Sequence, residues 1–429
     1  MIRDNSTLRA GDRDPTFGSD GELTLSILPD YIGTDRLIKG VLPLPDGKII
    51  VSVGVSMVEA FGFRYGLVRL TQDGKLDESF GIQGVITNTF RNNKDSHGGR
   101  LLRLADGRLL MLGAIIPNEV NDAAHLAMAC FTEDYALDKS FGGSGTGHLV
   151  IDNQPTEVYI NDTAKVAQQA DGKLLISTTY HRLGDWQVTT GVLYRLHPNG
   201  TLDTTFNGTG RLELKGQDPE ASSGLSACLV HADDKIVVAG HICFQPQRGT
   251  ALVARFDKDG ALDTTFGHRN TPGYCTVPVG SDWTQFNDLL PTARGFIGVG
   301  EAGANPPSAE NKGLLVGISK EGLMDPDFNK GEPVLTKYSA NVDNAWADGY
   351  VQTEGELVIP TKWGDARTSR WEKSGNADLQ FGTGGVVSEG YLITGQPTMV
   401  VGRLDGKILW SGNPIGIGGS LGKLVSYLG

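Results

Sequence analysis

The chain has 429 residues, a net charge of −12 and 59 glycines, about twice the usual glycine share. That acidity makes the chain a poor candidate for the phosphate-neutralising surface nucleic-acid binding needs, and no run approaches the roughly 18 apolar residues of a membrane-spanning helix. With 39% hydrophobic residues a sizeable core can be buried, so a soluble, turn-rich globular protein is expected.

In chain order, Met1 to Leu8 has no apolar stretch behind Arg3, so no secretory signal is read and a cytoplasmic location is expected. Asp14 and Phe17-Gly18 follow, then a strand of about Glu22–Leu28. Asp46-Gly47 marks a hairpin between apolar runs, and a third strand falls at Tyr65–Leu70. Next comes Leu76-Asp77-Glu78-Ser79-Phe80-Gly81, and the order then recurs. Further hairpins fall at Gly107, Gly172, Asp234, Gly295, Gly355 and Gly406, and further motif phenylalanines at Phe141, Phe206, Phe266, Phe328 and Phe381. Successive phenylalanines lie 53 to 65 residues apart, each with Asp three residues before it and Gly or Asn directly after.

The motif reads as structural. An aspartate accepts hydrogen bonds from amides two and three residues on, the aromatic drops into the core, and Gly or Asn permits the left-handed residue that follows. The run after each hairpin is nearly continuously apolar, as in a strand covered on both faces. Four strands per unit, joined up and down and repeated, describe an all-β fold, a β-propeller. The repeats resemble the bacterial delta-sixty repeat family, over roughly residues 11 to 429. That resemblance implies a propeller and brings no catalytic residue with it. Both motifs occur seven times, so the expectation is one domain over residues 1–429, a seven-bladed ring of four-stranded blades. Its last blade is completed by the N-terminal strand within about residues 11–28, which leaves no open sheet edge.

The strand order puts the Asp-Gly hairpins on one face and the long irregular connections on the other, and scaffolded folds tend to carry function on such loops. Trp186, Trp283, Trp346 and Trp363 fall in or beside these connections and read as platforms for a sugar ring or peptide side chain. Asp35, Asp95, Asp282 and Asp343 precede innermost strands. There they act either as turn caps or as a ring of carboxylates able to hold calcium. His97, His181 and His241 share the same face without metal-ligand spacing, and no GxSxG elbow or P-loop is present. Cys130, Cys228, Cys243 and Cys275 include no CxxC pair and read as reduced structural thiols. The leading expectation is a non-catalytic protein that binds a carbohydrate or protein partner on the loop face, with no cofactor, no nucleic acid and no membrane span. The alternative is a propeller hydrolase or lyase that works at the channel mouth through Asp carboxylates, with or without a divalent cation.

Overall fold

The computed structural model describes residues 8–58, 60–92, 94–116, 124–154, 157–160, 164–215, 221–245, 248–277, 279–280, 283–303, 311–338, 344–393, 398–415 and 421–429. The repeat unit becomes an antiparallel meander. The first sheet orders Ile32–Pro43, Ile49–Met57, Ala60–Leu70 and Val85–Asn88, and the second orders Asp95–Arg103, Leu109–Ile116, His125–Phe131 and His148–Ile151. In the third, Glu157–Tyr159 and Lys165–Gln168 both pair with Leu174–Arg182, followed by Asp185–Leu196 and Arg211–Leu214. The next two units are joined by one parallel bridge, Gly249 to Trp283, so Ser223–Val230 through Val334–Thr336 count as one eight-stranded sheet. Another sheet runs from Tyr350–Val351 to Val386–Ile393. In the last, Met399–Gly402, Ile408–Gly412 and Lys423–Tyr427 take the N-terminal strand Glu22–Thr24 at their edge. The described residues thus form six hydrogen-bonded sheets, because the Gly249–Trp283 bridge fuses two units.

The strand after each hairpin is buried on both faces: Ile49–Val55, Leu109–Ile115 and Leu174–Tyr180 are buried throughout, as the unbroken apolar runs require. The core lies between neighbouring sheets. Leu175, Leu193 and Phe206 of one unit, for example, pack with Val238, Leu252 and Phe256 of the next.

The Leu-Asp-x-x-Phe motif works as a clip between units. Asp203 Oδ1 accepts hydrogen bonds from the Thr205 amide (3.1 Å) and hydroxyl (2.6 Å), and Oδ2 accepts from Arg195 Nε (2.8 Å). The Arg195 guanidinium lies 4.7 Å over the Phe206 ring and donates to Lys258 O of the next unit. The Asn207 amide donates to Asp259 O (3.0 Å) of that same turn. At the turn stands Gly260, at φ +95°, where a Cβ would lie 2.9 Å from the Phe206 ring. The arrangement recurs with Arg255, Asp263 and Phe266, and with Arg370, Asp378 and Phe381. In the units of Asp138 and Asp325 the arginine comes from the hairpin instead, as Arg108 and Arg294. Each motif aspartate accepts the amide two residues on. The last clip reaches the chain's beginning, Gly382 N donating to Ala10 O (3.0 Å). Burial alone would raise the Asp203 carboxyl; the Thr205 hydroxyl and amide and the Arg195 charge outweigh it and hold it at about 2.

Candidate functional site

Away from the clips, charged side chains gather where the innermost strands approach the axis. Lys165, in Lys165–Gln168, extends its ammonium to Asp288 Oδ1 (2.8 Å) and Asp348 Oδ1 (3.1 Å). Arg100, in Asp95–Arg103, reaches Asp348 Oδ1 through Nη2 (3.3 Å). Asp288 lies in Trp283–Pro291, and Asp348 just before Tyr350–Val351. The two bases and the two acids come from units that are not adjacent in the chain, so the pairs cross the axis. Each of the four stands seven residues before its hairpin glycine, Gly107, Gly172, Gly295 or Gly355, and so occupies one level of the ring. Beta-bulges sit at this level. The register shifts between Gly98 and Leu101 and between Phe286 and Asp288, which turns the following side chain inward.

Asp288 and Asp348 converge on the same Lys165 ammonium, so the two carboxylates lie side by side. Burial raises the Asp288 carboxyl; Lys165 opposes the rise and the neighbouring Asp348 charge adds to it. Asp348 feels the same burial, but Arg100 and Lys165 outweigh it and hold that carboxyl below the usual range. Of the two, Asp288 is therefore the carboxyl that takes up a proton first as pH falls, and Asp348 the one that stays charged. Beside Arg100 a gap of about 10 Å³, lined by Lys39, Gly99, Gly113, Tyr159 and Ala164, is room for one water.

From this level the half-buried side chains Asn287, Gln285 and Trp283 lead along one strand toward the irregular-loop face. Asn287 Nδ2 donates to Trp346 O (2.8 Å), and Asn287 Oδ1 accepts from Lys362 Nζ (3.0 Å), which also pairs with buried Glu301 (3.1 Å). Gln285 and Asn311 donate to the same Glu301 carboxylate. His241 lies 4.8 Å from the Trp283 ring, its Nε2 without a hydrogen-bond partner. Burial lowers this imidazole to about 4, Glu301 opposing and Lys362 assisting, so it is neutral at physiological pH.

Trp283 is thus half-buried against His241, and Trp363 is exposed on its turn. Trp346 requires a correction. It is fully buried, packed on Tyr338 and closing over Gly313, with its amide donating to Gly300 O (3.1 Å) of the neighbouring strand, and so leaves no open platform. Asp95 accepts from the Phe63 amide (2.9 Å) and serves as a cap for the neighbouring connection. Trp186 lies in Asp185–Leu196 and Asp35 in Ile32–Pro43, with side chains outside the described residues; Asp282 and Asp343 fall outside them altogether. Among the described residues no group of three or more His, Cys, Asp or Glu side chains could hold a metal ion, and no helix is long and apolar enough to cross a membrane. All four cysteines are free and buried. Sequence reasoning missed Arg100, Lys165, Asp288 and Asp348, although their fixed distance from the hairpin glycine is a readable signal.

The strand order and the stacked units define an all-β protein of the propeller class. A family model described as a domain of unknown function (DUF5122) beta-propeller matches residues 44–80, 169–206 and 231–266, each stretch running from about a hairpin to a motif phenylalanine. No curated protein matches the chain. Similar solved structures include an α-L-arabinofuranosidase of Fusarium graminearum in complex with arabinobiose (12% identity, 97% of this chain and 96% of that one, TM-score 0.47). A Penicillium chrysogenum α-L-arabinanase complexed with arabinobiose aligns at 10% identity over 97% and 96%, with TM-score 0.42. A glucose dehydrogenase aligns at 11% over 93% and 99%, with TM-score 0.43. The expectation of a non-catalytic binding protein is corrected here: the similar solved structures named above are an arabinofuranosidase, an arabinanase and a glucose dehydrogenase.

Proposed function

We propose that this chain is a propeller hydrolase or lyase whose acid–base pair is Asp288 and Asp348. One observation carries the reading: two buried carboxylates of neighbouring units meet on the Lys165 ammonium, where burial raises Asp288 while Arg100 and Lys165 hold Asp348 charged. Two titratable groups pushed apart by their surroundings are what acid–base chemistry at neutral pH requires. In hydrolysis, protonated Asp288 gives its proton to the leaving oxygen as that bond breaks. Asp348 accepts the proton of the water whose oxygen forms the new bond. Two carboxylates held on one ammonium are too close to flank a sugar ring from opposite faces, which favours water activation or elimination from one side over double displacement.

In the same reading the ring has seven blades in one domain over residues 1–429, the eight-stranded sheet counting as two blades. Glu22–Thr24 completes the last blade, and the sixty-residue period supports delta-sixty kinship.

The test is a panel of aryl glycosides and polysaccharides, scored for released reducing ends (hydrolysis) and for the ultraviolet absorbance of an unsaturated product (elimination). Asp288→Asn should lower kcat by about 10²–10⁴-fold on any substrate turned over. Activity should also fall as pH rises through the Asp288 titration. An Asp288→Asn protein as active as the parent, or no turnover across the panel, overturns the proposal.

A further inference from the structure

Two carboxylates brought together away from water repel each other unless a cation joins them. The side chains of Asp288 and Asp348 are 11% and 5% exposed, so solvent screens that repulsion little. The Lys165 ammonium bridges them, 2.8 Å from Asp288 Oδ1 and 3.1 Å from Asp348 Oδ1, while Arg100 pairs with Asp348 through Nη2 (3.3 Å). Two bases and two acids are thus in balance. The bridging distances are hydrogen-bond lengths, which suit an ammonium with its three donors. Calcium would want about six to eight oxygens at about 2.3–2.6 Å. Among the described residues no third His, Cys, Asp or Glu side chain completes such a set. Lys165 also belongs to a unit across the axis from the acids, so this cation is tethered to the chain and does not exchange.

We propose that Lys165 is the built-in cation of the axial site, a positioning residue that holds Asp288 and Asp348 side by side and occupies the place a divalent ion would take. The site then works without added metal. Its chemical use rests on the acid–base reading above; the bridge itself does not. Without the ammonium the pair either parts or takes up a proton. Lys165 opposes the rise of the Asp288 carboxyl, so its loss moves that titration to higher pH, with Asp348 and Arg100 the charged groups left facing it.

The experiment is thermal melting of the full chain, with turnover measured separately. Chelator or millimolar calcium should leave the parent's melting temperature unchanged. Lys165→Ala should melt lower. There n-propylamine, the piece of side chain removed, should restore part of the loss, and uncharged n-propanol should not. Lys165→Met, of similar length and without charge, should melt below Lys165→Arg, and adding Asp288→Asn to Lys165→Met should recover most of the loss, because Arg100 then faces one acid. Calcium that stabilises the parent, rescue no better with the amine than with the alcohol, a Lys165→Met protein as heat-stable as Lys165→Arg, or a double variant no more stable than Lys165→Met overturns the inference. Should Lys165→Ala not fold, the Arg, Met and double variants decide. On any aryl glycoside turned over, the fall in activity at high pH should move to higher pH in Lys165→Met; a fall at the parent's pH makes the lysine merely structural and overturns its positioning role. Turnover of no glycoside overturns the acid–base reading without touching the melting results, so the two failures are told apart.

Discussion

Replacing Asp203 by Asn tests the clip between units. Asn keeps the size of the side chain and a carbonyl oxygen for the Thr205 cap, but removes the charge facing Arg195. The side chains of Arg195 and Asp203 are 3% and 0% exposed, so the guanidinium stays behind in a dry setting with Thr205 Oγ1 (3.1 Å) and Lys258 O as its remaining partners. Breaking such a buried pair from one side costs about 3–5 kcal/mol. Asp259→Asn is the control, because the Lys258–Asp259 pair is 65% and 60% exposed and should be worth next to nothing. Urea unfolding of the full chain, followed by tryptophan fluorescence, should show a large drop in midpoint for Asp203→Asn and none for Asp259→Asn. Replacing both partners, Arg195→Met with Asp203→Leu, should recover much of the loss, since no unpaired charge is then buried. If Asp203→Asn unfolds with the parent, or the two single variants lose equally, the clip is not what joins these units.

Folded Asp14, Asp77, Asp138, Asp203 and Asp263 all hold their protons more weakly than free aspartate. Their stabilisation is therefore present above the unfolded value of about 3.9 and lost as pH falls through the folded values, so melting temperature should drop steeply below about pH 4. Asp288 has the opposite sign: its raised carboxyl costs stability as pH rises through its folded value, and Asp288→Asn should flatten that limb of the melting curve. Gly260→Ala should cost about 1–3 kcal/mol, because the new Cβ meets the Phe206 ring at a positive φ, whereas Gly145→Ala, with nothing within 4 Å, should show only a backbone effect. Trp346→Ala should destabilise by about 3–5 kcal/mol, and exposed Trp363→Ala should leave urea unfolding unchanged. Deleting residues through Leu28 should bare the edge of Lys423–Tyr427 and yield aggregates on size-exclusion chromatography.

What could be read from the sequence was local. The Asp cap, the Phe and the following Gly lie within a few residues of one another, and the hairpins announce themselves by Asp-Gly between apolar runs. The arginine of the clip was hidden because it arrives by two routes, eight residues upstream for Arg195 and Arg255, or from the hairpin for Arg108 and Arg294. The axial acids and bases were harder still. Their partners lie across the ring, and nothing in a strand's own pattern says that Lys165 will meet Asp348. Trp346 was misjudged for a related reason: proximity to an irregular connection does not tell which way a side chain at its end turns, and this one turns into the core.

The level of Arg100, Lys165, Asp288 and Asp348 treats the repeats differently from the clips. At the periphery each unit offers its neighbour much the same arginine, aspartate and phenylalanine, so units are interchangeable parts. At the axis the charges are arranged by address, bases on one side and acids on the other, and each must find its opposite across the ring. An array held only by neighbour contacts could gain or lose a member and still fold. Here a unit added or removed between the bases and the acids would pull Arg100 and Lys165 out of reach of Asp288 and Asp348. Moving the chain's start to another hairpin would keep all the addresses. The order of the repeats around the circle, more than their number or their starting point, is therefore what this molecule has to preserve.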